Sequence, residues 1–105
     1  MAKSELIYLQ RFADKSKTYL HHPPRLFFGR KNEGSYTPDF YCIEDHLYIE
    51  IAGSRQSYCA NKGRYEAIFS WNPKIKFVII KIYDKTIERF IRGKLKKHSK
   101  LSPEN

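Results

Sequence analysis

Apolar and polar positions alternate with period two through residues 38–43 and again through 46–51, with Glu44-Asp45 between the two runs. Alternation of this kind predicts two strands, and the acidic dipeptide between them predicts the turn of a hairpin. A two- or four-residue turn there pairs positions whose numbers sum to 89, so 41 faces 48 and Asp39 faces Glu50. One face of the hairpin then carries Asp39, Tyr41, Tyr48, Glu50 and Ala52. The other carries Phe40, Cys42, Leu47, Ile49 and Ile51, an apolar face for the core. A slip of one residue would scramble that division, so the pattern selects this register.

Around the hairpin the pattern changes. Residues 4–16 (SELIYLQRFADKS) predict a helix opened by Ser4, with Tyr8 and Phe12 one turn apart. The prolines of HHPP at 21–24 break regular structure, RLFFG at 25–29 predicts a short strand, and KNEGS at 31–35 a loop. Beyond Gly53, residues 57–70 predict a second helix capped by Ser54 or Ser57, with Tyr58, Lys62, Tyr65 and Phe69 along one stripe. KFVIIKI at 76–82 predicts a strand buried on both faces. DKTIERFIRGKLKK predicts a last helix capped by Asp84, its first half also readable as a strand, and LSPEN a frayed end. The order defines an α/β fold, a mixed sheet with helices on its faces.

Length and composition narrow this further. The 105 residues make one domain, 1–105, with 93–105 expected as a basic, flexible tail. With 41% hydrophobic and 15% aromatic residues the chain belongs among folded globules rather than disordered segments. No run approaches the ~20 apolar residues of a membrane span. The first twelve residues lack a secretory pattern, and Cys42 and Cys59 have no CxxC spacing, so a reducing cytoplasmic setting is expected. The net charge is +9, and residues 81–100 hold eight Lys or Arg against two Asp or Glu. That imbalance favours a polyanion, nucleic acid first and an acidic membrane surface second.

The hairpin supplies the candidate chemistry. Opposed residues on one face of an antiparallel pair have Cβ atoms about 4.5–5.5 Å apart, so two carboxylates there repel. A shared proton relieves the repulsion, and so does a divalent cation; hard oxygen donors suit Mg²⁺ or Mn²⁺. Two acids on a solvated sheet face with no ion remain the plain alternative. His21-His22, ahead of two prolines, read as exposed loop residues. Cys42 and His46 should face opposite sides of the sheet, which leaves zinc without a ligand set.

The stretch YTPDFYCIEDHLYIEIAG, residues 36–53, resembles the active-site hairpin of the PD-(D/E)xK nuclease superfamily, the restriction-endonuclease-like fold. In that family a Pro-Asp opens one strand and a Glu-x-Lys follows on the next, and small phage and intron-type members carry a similar YTPDF run. The resemblance covers about residues 4–82. It implies a Mg²⁺- or Mn²⁺-dependent endonuclease, of bacterial or phage type, acting on DNA. Asp39 and Glu50 would be metal ligands, the Ile51 carbonyl a third donor, and Glu5 the glutamate that many members carry on the first helix.

Ala52 departs from the pattern, because the family's lysine usually stands there. The site is then dead and the fold a nucleic-acid-binding module, or the alanine is an inactivating change, or the lysine has moved to the following helix. Lys62 fits the last reading: a lysine on an aromatic stripe needs an acidic partner or a route to water. Arg55 and Gln56, just past Glu50, are candidates to meet a phosphate, a base or a water. Arg64, Arg89, Arg92, Lys94, Lys96, Lys97 and Lys100 are candidate backbone contacts, a solvated charge run being their ordinary role. A chain this small grips little duplex, so a homodimer on double-stranded DNA is expected.

Overall fold

The computed structural model describes residues 1–91 and 94–103. Its centre is a six-stranded mixed sheet in the order β1-β4-β5-β6-β7-β8. These strands are β1 (Tyr19–His21), β4 (Phe40–Cys42), β5 (Leu47–Ala52), β6 (Lys76–Lys81), β7 (Thr86–Ile91) and β8 (Lys94–Lys100). β2 (Leu26–Phe28) and β3 (Gly34–Tyr36) form a separate two-stranded ribbon. β5 and β6 are parallel and joined through the helix α2 (Arg55–Trp71); every other neighbouring pair is antiparallel. Among the described residues no helix is long and apolar enough to cross a membrane.

The β4–β5 register is the one the alternation selects: Phe40 faces Ile49, Tyr41 faces Tyr48 and Cys42 faces Leu47. Phe40, Cys42, Ile49 and Ile51 join Val78, Ile80, Tyr8, Ala13 and Leu101 in one core, under the first helix. The opposite face is covered as well. Ala52 and Ile79 pack there with Tyr58, Tyr65, Ile68, Phe77 and Leu26, beneath α2 and the ribbon. The sheet is therefore the middle of three layers, and β6 is buried on both faces along Phe77–Ile80.

Local chemistry explains where elements stop. α1 covers Lys3–Ile7 and continues as a wider π turn over Tyr8–Phe12, closed by the Ala13 amide on the Tyr8 carbonyl at 2.8 Å. It ends short of residue 16 because Asp14 Oδ1 takes the Ser16 amide at 2.9 Å and the Ser16 hydroxyl at 2.7 Å, a turn that competes with helix. Its cap residue is Ala2 rather than Ser4, and the Glu5 carboxylate accepts the Ala2 amide at 3.0 Å. Ser4 instead packs on Gly53, where an added Cβ would lie 3.0 Å from its Oγ. That close approach holds the start of α1 over the end of β5.

The ribbon is fixed in a similar way. A Cβ on Gly34 would fall 2.3 Å from the Phe28 ring, so only glycine allows that ring to lie across β3. α2 opens with Ser54 Oγ accepting the Ser57 amide at 3.1 Å. It closes with Asn72 Nδ2, which donates to the Ile68 and the Phe27 carbonyls, both at 2.8 Å. Asn72 thus caps the helix and ties it to the ribbon.

The expected last helix is instead the strand pair β7–β8. Asp84 does not cap a helix. It occupies the turn after β6, its amide on the Lys81 carbonyl at 3.1 Å, and Lys85 takes a left-handed φ of 53°. Thr86, Ile87, Phe90 and Ile91 are β-branched or aromatic residues that suit a pleated surface beside β6. Lys94–Lys100 extends that sheet as its edge strand, in a region expected as a flexible tail. The strands β1 and β3, three residues each, lie in segments without strand periodicity.

Candidate active site

The end of the sheet where β1 finishes, β4 begins and β5 finishes collects His21, Asp39 and Glu50. The hairpin register brings Asp39 opposite Glu50, and the Asp39 amide donates to Glu50 Oε1 at 3.2 Å. Asp39 Oδ2 accepts the Ile51 amide at 2.8 Å. The two carboxylates and the Ile51 amide are thereby brought to one place, and hard oxygen donors such as these carboxylates suit Mg²⁺ or Mn²⁺.

Glu50 is only 3% exposed, beneath α2 and the ribbon. Two tyrosines reach it: Tyr36 from β3 donates its hydroxyl to Oε2, and Tyr65 from α2 donates to the same oxygen at 3.2 Å. Burial first, then the negative charge of Asp39, push the Glu50 carboxyl from its ordinary 4.5 to about 8, against the pull of the Tyr36 hydroxyl. Burial likewise raises Asp39, opposed by the Ile51 amide. Tyr36 and Tyr65 are driven well above 10, by burial and then by the Glu50 charge, so both remain hydroxyl donors. Without a cation this pair relieves its repulsion by keeping a proton.

The other predicted residues fall around this centre unevenly. Glu5 is buried, and its charge acts on Asp39. Arg55 and Gln56 are exposed in the first turn of α2, next to the end of β5. Arg64 is exposed and lies over the Tyr36 ring, 5.4 Å from its centroid. Lys62 is exposed and, among the described residues, makes no ion pair with either acid. Of its expected stripe, Tyr58 and Tyr65 pack against the sheet while Lys62 takes the route to water.

Ala52 is 0% exposed, enclosed by the α2-side core. In the parallel register its neighbour on β6 is Lys81. That ammonium is held by Glu88 at 3.1 Å, across on β7, and lies 4.5 Å from the centroid of the Tyr58 ring. Tyr58 donates its hydroxyl to the same glutamate. The lysine beside Ala52 is therefore drawn toward β7, on the far side of β6 from Glu50.

Arg89, Lys94, Lys96, Lys97 and Lys100 are all exposed, on β7 and β8; Arg92 lies outside the described residues. β8 stands three strands from β5, about 14 Å at ordinary strand spacing. Cys42 is buried on the α1 side and Cys59 is exposed on α2, which leaves them on opposite sides of the sheet.

Tyr36, Tyr65, His21 and His22 are absent from the sequence-derived set. Tyr65 was legible as a core tyrosine, but its partner becomes visible only once α2 is laid on β5. The histidines are not loop residues without context: His21 ends β1 opposite Phe40, and the His22 amide donates to the Asp39 carbonyl at 3.0 Å. No family model, curated protein or solved structure matches this chain.

Proposed function

We propose that this protein is a metal-dependent endonuclease of the PD-(D/E)xK kind, hydrolysing phosphodiester bonds of DNA. The observation that carries the reading is the convergence of Asp39, Glu50 and the Ile51 backbone at one end of the sheet, in a chain of net charge +9. Asp39 and Glu50 would hold Mg²⁺ or Mn²⁺. When bound, such an ion polarises a phosphoryl oxygen and lowers the pKa of a water ligand. Tyr36 and Tyr65 orient the Glu50 carboxylate by donating to one of its oxygens, leaving the other toward Asp39. Arg55 and Gln56, beside the α2 N-terminus, meet the phosphate, since both the guanidinium and the helix end favour an anion. Lys62, about one turn from Tyr65, takes the role of the missing strand lysine.

Supercoiled plasmid incubated with Mg²⁺, and in parallel with chelator, tests the proposal. Nicking or linearisation is expected only with the ion, and Asp39→Ala should abolish it. Cleavage that survives Asp39→Ala would sink the metal role.

The second reading, a nucleic-acid-binding module without catalysis, is favoured by the enclosure of Ala52 and the exposure of Lys62. It predicts salt-sensitive DNA binding with no cleavage in any divalent ion. Lys62→Ala separates the two, ending cleavage under the first and barely changing affinity under the second. Duplex binding by so small a chain calls for a homodimer, which sedimentation of the DNA complex would reveal.

A further inference from the structure

Three donors outside the carboxylate pair converge at the edge of the same site. Glu5 Oε1 lies 3.0 Å from His21 Nε2 and 4.0 Å from His22 Nε2, and the three ligand atoms all fall within 4.8 Å of one another. The other oxygen of Glu5 is occupied, accepting the Ala2 amide at 3.0 Å, which fixes Oε1 toward the histidines. The two imidazoles stack with centroids 3.7 Å apart, so both rings present their outer nitrogens side by side. Glu5 and His21 alone would make an ordinary hydrogen-bonded pair. His22 is too far from Glu5 for a hydrogen bond, yet its ring is turned to the same oxygen, and its backbone takes a left-handed φ of 54°. A non-glycine residue in that region costs energy, which its surroundings must offset.

We propose that Glu5, His21 and His22 form a second cation site, distinct from the Asp39–Glu50 pair, that takes Zn²⁺ or a similar borderline ion. Donors bound at 2.0–2.2 Å around a tetrahedral ion lie about 3.4 Å from each other. The separations of 3.0 and 4.0 Å bracket that value, and a turn of the stacked rings that brings both Nε2 lone pairs onto one point would complete the cage. Two imidazoles and one carboxylate select zinc or cobalt over magnesium, which prefers an all-oxygen octahedron. Half-exposed His21 and the more exposed His22 leave a fourth position open to water. The site does not depend on the nuclease reading.

The metal alone serves as the probe. Co²⁺ titrated into the metal-stripped full chain should give the intense visible spectrum of a tetrahedral ion, displaced by Zn²⁺, without a thiolate charge-transfer band. His22→Ala, at the more exposed ligand, should weaken binding more than about 100-fold, since even partners behind a ligand are worth 10–100-fold. Asp39→Asn should leave the spectrum in place. On the unaltered chain, Zn²⁺ should shift the imidazole NMR signals of His21 and His22 and spare those of His46 and His98. Absence of a spectrum, or one indifferent to His22→Ala with unmoved His21 and His22 signals, overturns the site. A spectrum lost equally in Asp39→Asn overturns its separateness. Zinc bound at the histidines of a protein that cuts no DNA would keep this inference and end the nuclease proposal.

Discussion

Glu50 is a buried carboxyl, 3% exposed, and its proton is measurable. The folded carboxyl titrates near 8 against an ordinary 4.5, so between those values the native state holds a proton that the unfolded chain has released. Stability from this group is fully present below about 4.5 and is lost as pH rises through about 8. In chelator, the melting temperature should therefore fall across that interval, and Glu50→Gln should flatten the profile. Ion binding requires the ionised form, so Mg²⁺ affinity should climb by nearly tenfold per pH unit below about 8, as calorimetric titration would record. Ala52 makes the opposite kind of test. A lysine placed there would drive a long cationic side chain into a closed core beside Lys81. Ala52→Lys should cost about 1–3 kcal/mol in denaturant unfolding and should not raise cleavage. Arg55 also breaks a local rule, as a cation in the first turn of α2, where the helix dipole favours anions. An anionic ligand at that end would offset the cost.

The elements act by holding side chains from different parts of the chain at one end of the sheet. Tyr36 reaches Glu50 from a ribbon in which the Phe28 ring packs directly on Gly34. Gly34→Ala should open the ribbon, cost about 1–3 kcal/mol, and weaken metal binding through the lost Tyr36 contact. Asn72→Ala removes both the α2 cap and the tie to Phe27, and about 1–2 kcal/mol of stability should go with those two hydrogen bonds. The hairpin was legible because strict alternation over residues 38–51 permits one register, and that register alone opposes Asp39 and Glu50. α2 and β6 were legible for a similar reason, each carrying a long periodic or apolar run. β1 and β3 are too short to show a period, and they hold His21 and Tyr36. TIERFI in β7 fits helix and strand alike, and its neighbour β6 decides the matter. The Glu5–His21–His22 cluster joins positions 16 and 17 residues apart where α1 meets the end of β1, which no local pattern announces.

At the scale of the molecule, charge dominates. A protein of net charge +9 that binds DNA through phosphates should lose affinity linearly with the logarithm of salt. Replacing Lys96, Lys97 and Lys100 by alanine should reduce that slope, as filter binding at several salt concentrations would show, while leaving Mg²⁺ affinity at the carboxylates unchanged. These lysines stand on β8, about 14 Å from β5, so under the proposed function they would contribute grip rather than chemistry.

The same strand has a consequence for handling the protein. β8 is one open edge of the sheet, a row of backbone donors and acceptors facing outward, and lysines along such an edge disfavour the addition of a second sheet. Salt screens exposed charges within about 10 Å at 0.1 M and about 3 Å at 1 M. Concentrated salt, the ordinary means of stripping nucleic acid from a basic protein, would thus also remove the repulsion that keeps the copies apart. Light scattering should rise with ionic strength for the parent chain. A proline placed in β8 should suppress that rise.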